Sequence, residues 1–190
     1  ALRGMSAGER LLNAFSQSVT PRTAGFAALD NGALTDGSKL LTMFLMFVGA
    51  CPGGTGGGVK ATTFLAAMAA VSASVRGRED VEVFRRRLSP EVVHRAFCSM
   101  GVYLSVTMAG VFVLCAQGQS FTGAAFECFS AIGTVGLSTG ITAALPALSR
   151  LALILLMFAG RVGSITVFLA VAQTGRETRL RDPVGRLLIG

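Results

Sequence analysis

Residues 121–145 read FTGAAFECFSAIGTVGLSTGITAAL, and this stretch decides the fold. It is moderately apolar, begins as a helix of about ten residues, and then breaks at Gly133, Gly136, Gly140 and Pro146. A membrane-crossing helix needs about 20 mostly apolar residues, so the stretch is too short to cross. Its neighbours are long enough. Residues 96–116 form an uninterrupted apolar run, and residues 148–173 form a second that can span with tilt. If both neighbours cross, the stretch between them enters and leaves on one face, which makes it a re-entrant loop.

Composition supports a membrane setting. The chain has 190 residues, 52% hydrophobic and 14% charged, with 24 glycines. Its mean hydropathy is +0.62. Soluble domains carry about 25% charge. Charges are absent from residues 40–59, 96–126, 128–149 and 162–175. Ten of the seventeen Lys and Arg cluster in two segments, Arg76, Arg78, Arg85, Arg86, Arg87 and Arg95, then Arg176, Arg179, Arg181 and Arg186. Both clusters follow apolar stretches, the placement of cytoplasmic loops under the positive-inside rule, so the net charge of +7 does not indicate a nucleic-acid partner. Cys51, Cys98, Cys115 and Cys128 show no metal-like spacing and read as small packing residues, and His94 reads as solvated. Residues 1–9 show no basic flank followed by an apolar run, so no signal peptide is expected.

Sliding the sequence on itself by 111 positions aligns residues 15–49 with 126–160 without a gap. Phe15 meets Phe126, Thr23 meets Thr134, Gly25 meets Gly136, Ser38 meets Ser149 and Leu40 meets Leu151. Leu45-Met46-Phe47 matches Leu156-Met157-Phe158, Gly49 matches Gly160, and Lys39 faces Arg150. The expected fold is an all-α membrane protein of tandem helix, pore loop, helix repeats. Residues 1–75 form a repeat without its first helix, 76–95 a cytoplasmic basic loop, 96–175 a complete repeat and 176–190 a cytoplasmic tail. The missing first helix suggests a fragment, or a partner half on a separate chain.

The repeat places Thr23-Ala24-Gly25-Phe26 opposite Thr134-Val135-Gly136-Leu137. Non-helical backbone at membrane depth is tolerated where it is buried in protein or lines a water-filled path. Carbonyl oxygens turned inward at glycines can replace a cation's hydration shell, and Thr-Val-Gly is also the start of the potassium-channel filter. Both quartets are therefore candidate ion-binding segments. A plain pair of tight turns would not need a preceding half-helix in each repeat.

A second glycine stretch, Cys51-Pro52-Gly53-Gly54-Thr55-Gly56-Gly57-Gly58-Val59-Lys60, breaks the helix that begins near Leu40, which resumes over 61–75. It is not a phosphate loop, because Val59 separates Gly58 from Lys60 and Ala61 follows, so an ATPase is excluded. Arg161 lies within an apolar helix, where a cation is costly and faces protein. Its repeat partner is Ala50, beside the glycine stretch, so its guanidinium is expected to donate to the exposed carbonyls of the broken helix.

These stretches, with residues 18–26, Thr62-Thr63-Phe64, 133–138 and 157–163, resemble the Ktr/Trk/HKT superfamily of potassium transporters, and most closely the Ktr-type membrane subunit. The resemblance implies four repeats around one pore, with this chain most of the third and all of the fourth. It implies that Gly25 and Gly136 are filter glycines, that Gly53, Gly54, Thr55, Gly56, Gly57, Gly58 and Lys60 form an intramembrane gate loop, and that Arg161 holds it. Relatives that favour sodium replace one filter glycine by serine, so two glycines imply potassium as the transported ion. Also implied are a multi-pass position in the plasma-membrane bilayer, a homodimer, and a cytosolic ring of nucleotide-binding regulatory subunits. No enzyme activity and no cofactor are implied. Cys51 stands where the family pattern leads one to expect serine. A membrane scaffold or receptor that keeps the fold without a pore is the alternative.

Overall fold

A computed structural model of the chain describes residues 5–54, 56–78 and 80–162. It is built almost wholly of helices, with one small hairpin. Helix α1, Ala7–Val19, starts at a capping box in which Ser6 and Glu9 satisfy each other's backbone N–H groups. Helix α2, Asp36–Phe47, is capped by the Thr35 hydroxyl, and α3, Ala61–Val75, follows after the glycine break. Strands β1, Glu82–Val83, and β2, Arg86–Arg87, pair antiparallel across a turn of Phe84 and Arg85.

Helix α4, Pro90–Ala116, has 27 residues and a length of about 40 Å. Among the described residues it alone combines the length and hydropathy of a membrane span. It starts six residues before the expected boundary at Ala96, because Pro90 occupies the first helical position, where its missing N–H is no loss, and Ser89 is extended before it. The basic stretch 76–95 is thus a turn, a hairpin and the first turns of α4 rather than a plain loop. The hairpin is a second departure from an all-helical reading.

The end of α4 reverses the chain in three residues. Gly118 at φ +85° donates to the Cys115 carbonyl and Gln119 donates to that of Leu114, the paired hydrogen bonds of a left-handed helix cap. Ser120 then caps α5, Phe121–Ile132, through Gly123 N–H. After a 3₁₀ turn at Ile141–Ala144, α6 runs from Ala147 to Val162. The expected continuation of α6 to residue 173 lies outside the described residues.

Short α5 is the centre of the packing, in contact with α2, α4 and α6. Its small residues Ala124, Ala125, Cys128 and Ala131 are buried, and they allow close approach of neighbouring helices. Gly110 of α4 lies against Cys128 and Leu156, and Gly160 of α6 lies directly on the Ile132 carbonyl. Phe126, Met46, Leu114 and Ile132 are completely buried around this axis. The outward faces of α4 and α6 carry exposed Met108, Phe112, Leu151, Ile154, Leu155 and Phe158, an apolar exterior suited to lipid.

Helix α1 is different. It has no buried residue, and Phe15 is 68% exposed whereas Phe126, its partner at the 111-residue offset, is 0% exposed. The second unit supplies α4 to cover its short helix. Nothing among the described residues does this for α1.

Candidate functional site

Two loops follow the two short helices, and their backbones share one pattern. Thr23 has φ +73° and Gly25 +76°; Thr134 has φ +52° and Gly136 +90°. These are the positions that the offset superposes. A positive φ at alternate residues turns backbone groups that would otherwise point to opposite sides towards one side. For threonine the conformation is strained, since a β-branched residue rarely takes positive φ. In the second loop Thr134 takes the position usually given to glycine in a helix cap, where its N–H reaches the Ala131 carbonyl and Val135 N–H that of Ser130.

The loops meet. The α-carbon of Gly25 abuts the Val135 carbonyl so closely that a β-carbon there would collide with it. Thr23, Gly25, Thr134 and Val135 are thereby gathered at one place, and Gly136 is exposed beside them. Ala24 is exposed. The fourth positions diverge: Leu137 is 2% exposed and belongs to the core around α5, whereas Phe26 is 80% exposed. Its carbonyl is held by the Thr20 hydroxyl at 2.7 Å.

The glycine loop lies across both threonines. Gly57 N–H donates to Thr134 Oγ1 at 2.8 Å, and a β-carbon on Gly56 would sit 2.9 Å from Thr23 Oγ1. Thr23 Oγ1 is buried with no hydrogen-bond partner among the described residues. Below its tip the loop is pinched shut. Val48 and Val59 bridge in parallel, Gly49 N–H reaches the Val59 carbonyl at 2.9 Å, and Ala61 N–H that of Ala50 at 3.3 Å. The neck is possible because Gly49 and Gly58 lack side chains, and Gly58 at φ +81° bends away. Gly53, at φ +89°, and Gly54 are exposed at the far end, and Thr55 lies outside the described residues.

A cation staples this loop. Lys60 Nζ donates to the Gly56 carbonyl at 2.6 Å and to that of Gly54 at 3.4 Å. These are bonds of the kind expected of Arg161. Arg161 itself is exposed on the last described turn of α6. Cys51 and Cys98 are exposed, against the packing role read for all four cysteines.

One residue escaped the sequence reading. Glu127 of α5 is 5% exposed and accepts hydrogen bonds from Ser138, Thr139 and Thr142, just beyond the second loop. The signal was present: a lone acid between two charge-free runs, with Ser16 as its repeat partner.

Helices with an apolar exterior around strained, glycine-rich backbone define a membrane protein whose irregular segments meet inside the helical packing. Residues 1–178 match the family model TrkH, described as cation transport protein. The chain belongs to this family. It is 36% identical over 183 residues to the Ktr system potassium uptake protein B of Bacillus subtilis, covering 96% of this chain and 41% of that protein. It is 37% identical over 189 residues to the potassium/sodium uptake protein NtpJ of Enterococcus hirae, covering 96% and 42%, and 32% identical over 187 residues to the Ktr system potassium uptake protein B of Vibrio alginolyticus, covering 98% and 41%. The chain spans about two fifths of the length of these relatives.

Proposed function

We propose that the chain forms part of a channel-like pore that carries potassium across the plasma membrane. The carbonyls of Thr23, Ala24, Gly25 and Phe26 and of Thr134, Val135, Gly136 and Leu137 select the ion, and the loop from Gly53 to Gly58, with Lys60 and Arg161, gates it. The observation that carries this reading is the paired backbone pattern: positive φ at Thr23 and Gly25 and again at Thr134 and Gly136, with Gly56 and Gly57 laid across both threonines. Backbone oxygens held in a strained array replace the water around a cation. The Thr23 hydroxyl, without a hydrogen-bond partner among the described residues, is a further oxygen that an incoming cation would satisfy.

Other parts of the reading rest on the family and on charge placement. The remaining pore-loop repeats of a complete subunit would cover the bare face of α1, including Phe15. A homodimer and a cytosolic nucleotide-binding regulatory subunit are the proposed partners, the latter facing the basic segments at 76–95 and 176–190. Both segments lie on the cytoplasmic side in this reading. Sodium is the competing ion, as the name of the Enterococcus relative states for that protein.

The test is growth of a potassium-uptake-deficient strain carrying the complete gene, on limiting potassium. Rescue is expected, and Gly136→Asp or Gly136→Ser is expected to change potassium-over-sodium preference, since Gly136 has φ +90° and side chains rarely tolerate it. An unchanged preference in both variants sinks the filter assignment.

A further inference from the structure

Glu127 is the one charged side chain buried among the described residues. Burying a carboxylate is costly unless its oxygens are fully hydrogen-bonded. Here they are. Oε1 accepts from Ser138 Oγ at 2.8 Å, Thr139 N–H at 2.8 Å and Thr139 Oγ1 at 2.9 Å, and Oε2 accepts from Thr142 Oγ1 at 2.7 Å. Ser138 Oγ in turn accepts from Gly140 N–H at 2.9 Å. All of these donors belong to the residues immediately after the second loop. A carboxylate accepts and never donates, so donors converging from one segment match it, where a neutral amide would present N–H groups to some of them.

The first loop has no equivalent. At the 111-residue offset Glu127 corresponds to Ser16, Ser138 to Ala27, Thr139 to Ala28 and Thr142 to Asn31. That loop is tied by neutral bonds instead, Thr20 Oγ1 to the Phe26 carbonyl and Gln17 Nε2 to Asn31 Oδ1 at 3.1 Å. Packing holds only part of the second loop: Val135 and Leu137 enter the core around α5, but a half-open cavity of about 460 Å³ lies against the rest, lined by Thr134, Gly136, Leu153 and Met157 together with Glu127 itself.

We propose that Glu127 is a positioning residue for ion selection: its carboxylate anchors the segment beyond Gly136 and so fixes where the second loop's carbonyls stand. The two loops then contribute unequally, with discrimination between cations of different size resting on the charge-anchored one. This rests on the reading of residues 134–137 as an ion-selecting segment. Charge-assisted bonds are about twice as strong as neutral ones, so the second loop resists closing around a smaller ion more than the first does.

The experiment measures potassium and sodium fluxes into liposomes containing the complete subunit. Glu127→Gln keeps the shape and removes the charge; Thr142→Val keeps the charge and removes one bond from the other oxygen. Each is expected to lower the potassium-over-sodium flux ratio about tenfold, the effect of losing one charge-assisted hydrogen bond. Thr142→Ser, which keeps the hydroxyl, should restore the ratio. A merely structural role predicts less folded protein at an unchanged ratio. Thr142 is half-buried, so its variants keep the test decisive even if Glu127→Gln does not elute as a folded species. Ratios within about twofold of wild type for Thr142→Val and any folded Glu127→Gln overturn the proposal. Gly136→Ser is measured alongside. If it alone changes the ratio, the positioning role fails and the filter reading stands; if it too leaves the ratio unchanged, both fall.

Discussion

Replacing Gly57 by alanine should unseat the glycine loop. The added β-carbon would meet Thr134 Oγ1 at 2.6 Å, the Gly133 carbonyl oxygen at 2.9 Å and Thr134 Cγ2 at 2.9 Å, all tighter than ordinary contact. Two of these atoms belong to a threonine whose backbone is already strained and one is backbone, so the second loop cannot give way cheaply. Overpacking of this kind costs about 1–3 kcal/mol, and loss of the Gly57 N–H bond to Thr134 adds about 1 kcal/mol. Even about 2 kcal/mol against the seated loop shifts its equilibrium about 30-fold. The assay is rubidium influx into liposomes containing the complete subunit without a regulatory partner. Gly57→Ala should raise this basal leak at least fivefold, the shift that about 1 kcal/mol, the low end of the steric term, predicts. Thr134→Val, which keeps volume and removes the acceptor, separates the two contributions and should raise leak about fivefold. Gly37→Ala is the control, since nothing lies within 4 Å of its added carbon. Leak at or below wild type in folded Gly57→Ala would refute the argument that contact with Thr134 holds the loop closed.

Three further perturbations follow, one from the packing and two from the cations assigned to the gate. Gly160→Ala places a methyl group against the Ile132 backbone, where no side chain can move aside, so thermal unfolding in detergent should drop by about 5–10 °C. Gly101→Ala, in open space, should cause no drop, and equal melting of the two variants contradicts the close approach of α5 and α6. Lys60→Met removes the staple on the Gly54 and Gly56 carbonyls, and Arg161→Ala removes the second cation assigned to the gate. Each should raise basal influx, Lys60→Met by about tenfold, and unchanged influx in either variant removes that residue from the gate.

The helices were legible because their signals are local. Gly133 and Pro146 bracket the second loop, and the glycine run ends α2 and lets α3 restart at Ala61, as the sequence indicates. The offset of 111 paired Thr23 with Thr134 and Gly25 with Gly136, and the same four residues carry the positive φ angles. What stayed hidden is long-range. Gly57 and Thr134 are 77 residues apart in sequence, and no periodicity announces that one will bond to the other. The start of α4 was set too late because charge was read as loop, although Pro90 and Glu91 suit a helix N-terminus. Equal residues also met unequal surroundings. Phe15 and Phe126 align, yet one is bare and the other sealed, because burial depends on what packs alongside rather than on the residue. Glu127 stayed hidden for another reason: cations were read for what they face, whereas this acid was read only as the break between two charge-free runs.

The pinched neck below the glycine loop has a mechanical consequence. Hydrogen bonds between residues 47–50 and 59–61 splice α2 to α3 almost as though the intervening residues had been cut out. In the proposed gate the loop would be a trapdoor hung on a fixed frame. Its hinge would be the neck and its latch the bond to Thr134, so that neither helix must tilt for it to swing. A movement confined to so few residues belongs to the nanosecond-to-microsecond range of loops rather than to the slower rearrangement of whole helices. Spin labels on α2 and α3 would then report a constant separation whether the door is open or shut, while a label on a cysteine introduced at Gly54, at the far end of the loop, would follow the swing.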